Sequence, residues 1–133
     1  MGWVAFGPGA GPGEGRVEAV IKRLSALAGV SMVMIVGPGG EEIYRWYKTS
    51  ADRLRIGLEA KDVLELVEKA SSFLSKAGSG PLEDMIIRTK ENVAVIQAAG
   101  NAFLVTVAYR SANLALLLIR SRITAEELSG ILG

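Results

Sequence analysis

The side chains in this sequence best suited to acid–base chemistry come as adjacent acids: Glu41-Glu42, Glu83-Asp84 and Glu126-Glu127. A working pair of carboxyl groups needs convergent elements and further polar groups beside it. None of the three is accompanied by such groups at a spacing that would bring them together. Thr124-Ala125-Glu126-Glu127 has the pattern of a helix N-terminal capping box, which accounts for the last pair. The bases Arg45, Lys48, Arg53 and Arg55 are interleaved with Tyr44, Trp46 and Tyr47. Such a cluster could stack on nucleic acid or meet an anionic lipid surface. Glu41, Glu42 and Asp52 dilute it, and long charged side chains also guard an edge strand against aggregation, which is the preferred reading. Trp46 remains a candidate partner contact, because Trp is enriched at interface centres. The glycine-rich run over 7–15 follows no strand and does not match Gly-x-Gly-x-x-Gly. No Gly-Lys-Ser/Thr occurs anywhere, so a P-loop is excluded.

What is missing narrows the chemistry further. The chain has no His and no Cys. Ser-His-Asp and Cys-His catalysis, zinc sites of the usual kind and disulfides are therefore out of reach. No cofactor and no metal are expected, and neither is an enzyme. The 133 residues are 50% hydrophobic and 22% charged, the balance of one ordered domain with a real core. A net charge of +1 argues against a nucleic-acid partner. No apolar run approaches the roughly 20 residues of a membrane span, so no transmembrane segment is expected. The start of the chain lacks the basic residues and long apolar core of a signal peptide, so the cytoplasm is the expected compartment.

The elements that would position these residues follow from periodicity. Residues 1–15, rich in Gly and Pro, read as a flexible N-terminal segment, with the folded domain over 16–133. Val17, Val20, Ile21, Leu24, Leu27 and Ala28 recur at helical spacing up to Gly29. Two strands follow, over 31–36 and 42–48, joined by Gly37-Pro38-Gly39-Gly40. Residues 48–56 read as polar and irregular. A long helix is expected over 59–77, with Val63, Val67, Ala70, Leu74 and Ala77 on its stripe, widened by Leu66 and Phe73. Glu65 and Lys69 lie on its polar side. Three strands, over 82–89, 93–98 and 102–109, have turns at Glu91-Asn92 and Gly100-Asn101. A last helix begins near Ser111, with a break near Ile123. Hairpin links imply an antiparallel sheet. Strands apolar on successive residues need both faces covered. Three helices cover one face with two and the other with one. A lone helix spans about 10 Å, or two strands of a five-stranded sheet, which leaves part of that face bare and implies a partner.

The order α-ββ-α-βββ-α, Gly29-Val30 before the first strand and the Gly-Pro-Gly-Gly turn after it resemble the roadblock family, the dynein light-chain group. Gly80-Pro81-Leu82, Asn101-Ala-Phe-Leu-Val-Thr-Val107 and Ala112-Asn113-Leu114-Ala115-Leu116 agree with it. The resemblance covers about residues 16–132. Ala115 stands where the family usually has Gly, and Tyr44–Tyr47 where it has small residues. The resemblance implies an α/β (α+β), profilin- or longin-like fold, a five-stranded antiparallel sheet of order 2-1-5-4-3 with helices on both faces. It further implies a non-enzymatic homodimer that binds a small Ras-like GTPase as regulator or scaffold. The alternatives are a structural adaptor of a larger complex that ignores nucleotide state, and, less favoured, a small-ligand sensor. The implied dimer interface falls on Leu66, Ala70 and Phe73 of the long helix and Met85, Ile86 and Ile87 of the third strand. Val63, Val67, Ala70 and Leu74 are expected to face the sheet. Trp46, Glu65 and Lys69 are the candidate contacts for a partner protein.

Overall fold

The computed structural model describes Trp3–Val4 and residues 12–132, with side chains from residue 15 onward. The elements are β1 (Trp3–Val4), α1 (Pro12–Ser25), β2 (Val30–Val36), β3 (Glu42–Tyr47), α2 (Ser50–Arg55), α3 (Ala60–Lys76), β4 (Asp84–Arg88), β5 (Asn92–Ala99), β6 (Ala102–Tyr109) and α4 (Leu114–Leu132). Every strand pairing is antiparallel, and the sheet runs β1-β3-β2-β6-β5-β4. Without the two-residue β1, this is the expected order 2-1-5-4-3.

Both faces of the central strand are apolar because both are covered. Val33 and Ile35 of β2 join Tyr44, Trp46, Val95 and Leu104 beneath Val17, Ile21 and Leu24 of α1 and Leu117, Ala125 and Leu128 of α4. Met32, Met34 and Val36 point the other way, with Val105 and Ile96, against Val63 and Val67 of α3. The β2–β3 hairpin turns on Gly40, whose φ of +84° an L side chain rarely adopts. A Cβ there would stand 3.0 Å from Leu64 of α3, so the hairpin tip lies against the helix.

Four details depart from the sequence expectations. Residues 50–55 form a helix, capped by the Thr49 hydroxyl, which accepts from the Asp52 N–H at 3.0 Å. The last helix starts at Leu114, where Asn113 Oδ1 accepts from the Leu116 N–H at 3.0 Å, and it runs unbroken through Ile123. Thr124 and Ala125 are buried together with Ser121 and Leu128, so burial on one continuous face overrides the local capping pattern. Asn92 opens β5 and is paired with Tyr109, which leaves Lys90 and Glu91 as the turn. Finally, α1 begins at Pro12, and Trp3–Val4 pairs with Tyr47 and Trp46 at the end of β3. The expected flexible segment over 1–15 otherwise falls mostly outside the described residues. Among the described residues no helix is long and apolar enough to cross a membrane.

Candidate protein-docking surfaces

The least covered part of the sheet lies beside α3. The helix is well delimited. Asp62 accepts from the Glu59 N–H at 3.1 Å in a reciprocal capping box, and Ala77 caps the other end before Gly78 takes a φ of +72°. Val63 and Val67 fix one side of α3 to β2, while Ala70 and Leu74 are half-buried. The adjoining stripe is left outside: Leu66 is 38% exposed and Phe73 71%. With Ala70 between them, they make a ridge interrupted by a small residue, a shape that admits close approach of a second element.

Next to this ridge runs β4, which among the described residues has a strand partner only on its β5 side. Met85 is paired with Ile96 and Ile87 with Ala94, so both lie on the α3 face. Met85 is half-buried and Ile87 is exposed. Ile86 is paired with Val95, which belongs to the opposite core, so the period of a strand sends it to the other face. The expectation that all three strand residues line one surface with α3 is corrected to that extent. A partner strand laid along β4 would still meet Ile86 from its own side.

Trp46 does not serve as an open contact. It is 8% exposed and packed in the core beneath α1, and Val4 of β1 pairs alongside it, so β3 does not offer it to a partner. Glu65 and Lys69 are exposed on α3, where a docking protein could reach them. Arg45 is no guard on an edge either. It donates to Glu42 and to the Tyr47 hydroxyl, both at 2.6 Å, and Tyr47 donates to the Ile56 carbonyl at 3.3 Å. Burial alone would lower the Arg45 pKa, but its hydrogen bonds to Glu42 and Tyr47 outweigh that and raise it. The side chain is therefore a fixed cation that ties the segment leading into α3 to the sheet.

A second polar group secures α2 and escaped the sequence reading, since it joins residues far apart in the chain. Asp52 is buried and accepts from Arg55 at 3.0 Å and from the Tyr109 hydroxyl at 3.1 Å, with the Thr49 hydroxyl donating to its other oxygen at 2.9 Å. The Arg55 guanidinium lies 5.0 Å from the Tyr109 ring centroid. Desolvation pushes the Asp52 carboxyl up, yet the three hydrogen bonds prevail and hold it below the ordinary value. These groups are mutually saturated, which suits an anchor better than a reaction centre. Among the described residues no three His, Cys, Asp or Glu gather into a metal-binding group.

Comparison with solved structures places the fold. The gliding protein MglB from Thermus thermophilus superposes with a TM-score of 0.78 at 16% identity, covering 92% of each chain. MglB from Myxococcus xanthus gives 0.76 at 18% identity, over 89% of this chain and 88% of that one. A Roadblock/LC7 domain from Streptomyces avermitilis gives 0.72 at 15% identity, over 86% and 96%. No curated protein matches the chain in sequence. The Roadblock/LC7 domain model matches residues 16–108. With β1 and the short α2 set aside, the element order is α-ββ-α-βββ-α; this order, the sheet order and the match agree, and the chain belongs to the Roadblock/LC7 family.

Proposed function

We propose that the protein is a non-enzymatic homodimeric regulator or scaffold that binds a small Ras-like GTPase in the cytoplasm. The observation that carries this reading is the ridge of Leu66 and Phe73 beside the unpaired edge of β4, exposed apolar surface next to free backbone donors and acceptors. A second copy related by a two-fold axis satisfies both at once. Its β4 continues the sheet, and its α3 covers the bare strip over Met85 and Ile87. The pair then presents two copies of Glu65 and Lys69 on one surface, which gives a docking protein a doubled polar platform. Membership in the Roadblock/LC7 family supports a GTPase as the occupant.

Two measurements test the reading. Light scattering at micromolar concentration is expected to give twice the 14.1 kDa of one chain; a clean monomer would remove the interface. Mixing with Ras-like GTPases from the same source, loaded with GTP or GDP, is expected to give a complex that depends on the nucleotide. Equal binding in both states would point to an adaptor, and no complex with any of them would reject the GTPase reading.

A further inference from the structure

The five residues of β4, Asp84-Met85-Ile86-Ile87-Arg88, carry opposite charges at the two ends and are apolar between. Asp84 and Arg88 are both exposed, and among the described residues neither makes an ion pair within the chain. Their cross-strand partners on β5, Gln97 and Val93, are uncharged. The backbone follows the same alternation. The Glu83 carbonyl accepts from the Ala98 N–H and the Thr89 N–H donates to the Asn92 carbonyl, both at 2.8 Å, so the odd-numbered residues turn their backbone groups towards β5. With a period of two, Asp84, Ile86 and Arg88 turn theirs to the open edge.

A two-fold axis perpendicular to the sheet keeps the α3 side of both chains on one face. Residues directly opposite in an antiparallel pair also share a face, so the axis must pass through a residue and not between two. On Met85, the axis sets Asp84 opposite the partner's Ile86 and Glu83 opposite the partner's Ile87, acids against apolar side chains. On Ile87, it sets Arg88 opposite the partner's Ile86, and Asp84 opposite the partner's Lys90 in the turn beyond the strand. On Ile86, it sets Asp84 opposite the partner's Arg88 at both ends, with Met85 opposite the partner's Ile87 on the α3 face. Of the three registers, this one alone pairs all five residues and all three sets of outward backbone groups.

The surroundings have the same polarity. At the Asp84 end, Glu83 and, from α4, Arg122 and Glu126 border Gln97, which makes three acids to one base. At the Arg88 end, Lys90 and Glu91 form the turn and Arg110 donates to the Thr89 carbonyl at 2.7 Å, which makes three bases to one acid. Arg55, which also reaches Asn92, is already neutralised by Asp52. Three acids and three bases on α3 add no net charge. An antiparallel mate therefore brings the acidic end of each chain to the basic end of the other.

We infer that β4 selects a second copy of this chain in one register, with the two-fold axis on Ile86 and Asp84 clasping the partner's Arg88 at each end. The inference rests on the proposed homodimer and adds what sets its register. Asp84→Arg and Arg88→Asp are made separately, and circular dichroism checks that each folds. Each variant alone sets like charges together at both ends and should dimerise at least ~10-fold more weakly than the parent. Mixed in equal amounts, the two set opposite charges together at both ends and should form a heterodimer as tight as the parent, by fluorescence anisotropy with one chain labelled. A mixture of Met85→Cys with Ile87→Cys should form a disulfide between chains on air oxidation, since opposed residues of this kind lie about 4.5 Å apart between Cα atoms, whereas neither alone should bridge to itself. A monomeric parent overturns the homodimer and this inference with it. A dimeric parent whose charge variants dimerise equally well, or whose mixture is no tighter than either variant, overturns the register alone. Self-bridging by Met85→Cys or by Ile87→Cys would put the axis on that residue and likewise overturn it.

Discussion

The two faces of the sheet are built on different principles. The face under α1 and α4 is closed: two helices span it, and Tyr44, Trp46, Val95, Leu104, Leu117 and Leu128 fill it to completion. The face under α3 has one helix, which fixes Met32, Met34 and Val36 and stops short of β4. The closed face is held by apolar packing. The open face is held at its α2–α3 end by polar groups, Arg45 with Tyr47 and Asp52 with Arg55 and Tyr109. The contrast separates stability from association. Residues of the first face should decide whether the chain folds, and residues of the second whether folded chains meet.

Substitutions on each face can break that division. Trp46→Ala removes a large side chain from the closed face and should cost about 3–5 kcal/mol of folding stability. Urea unfolding checks it, and a loss below about 1 kcal/mol would deny that Trp46 is core. Leu66→Asp on the open face should do the reverse. It should raise the dimer dissociation constant about a hundredfold or more by placing unpaired carboxylates in the interface, with the monomer near its original stability. Chromatography with light scattering should read 14.1 kDa for the variant. Phe73→Ala is the milder form, worth about 2 kcal/mol of association and within about 0.5 kcal/mol of the fold, because the side chain is 71% exposed in the single chain. Sedimentation equilibrium resolves both figures.

The smallest effect concerns the polar anchor. Asp52→Asn should cost about 1 kcal/mol, since the amide oxygen still accepts but no longer offers Arg55 and Tyr109 a charged acceptor. The Asp52 carboxyl titrates below its ordinary value when folded. Its contribution is therefore complete above the unfolded pKa of about 3.9 and is lost as pH falls through the lower folded value. A melting series from pH 6 down to pH 2 should show that acid loss in the parent and less of it in Asp52→Asn. Equal losses would assign the effect to other carboxyl groups.

Legibility in the sequence followed the same divide. The long helix was read within a residue at each end, because its apolar stripe and the stop at Gly78 are local signals. The element pattern implied only antiparallel pairing, and the strand order came from the family resemblance. The helix over 50–55 left no such trace. Thr49–Arg55 has no apolar periodicity, and beside the local Thr49 cap and the Asp52–Arg55 pair it is held by Tyr109, a residue 57 positions away from Asp52. Trp46 was misjudged because aromatic residues on a short strand look alike whether solvent or α1 covers them. The grouping of Ile86 with Ile87 ignored the strand period. The expected break at Ile123 trusted a capping pattern that tertiary burial of Thr124 and Ala125 overrides.

The short pairing of Trp3–Val4 with Tyr47 and Trp46 bears on stoichiometry. A sheet with two free borders can be extended from both, and chains joined that way form open-ended arrays. Trp3–Val4 covers the Trp46–Tyr47 end of β3, so an incoming strand meets a two-residue strand there in place of a full six-residue edge, which discourages growth from that border. Removing Trp3–Val4 would uncover the Tyr47 end of β3 and is expected to favour edge-to-edge addition there.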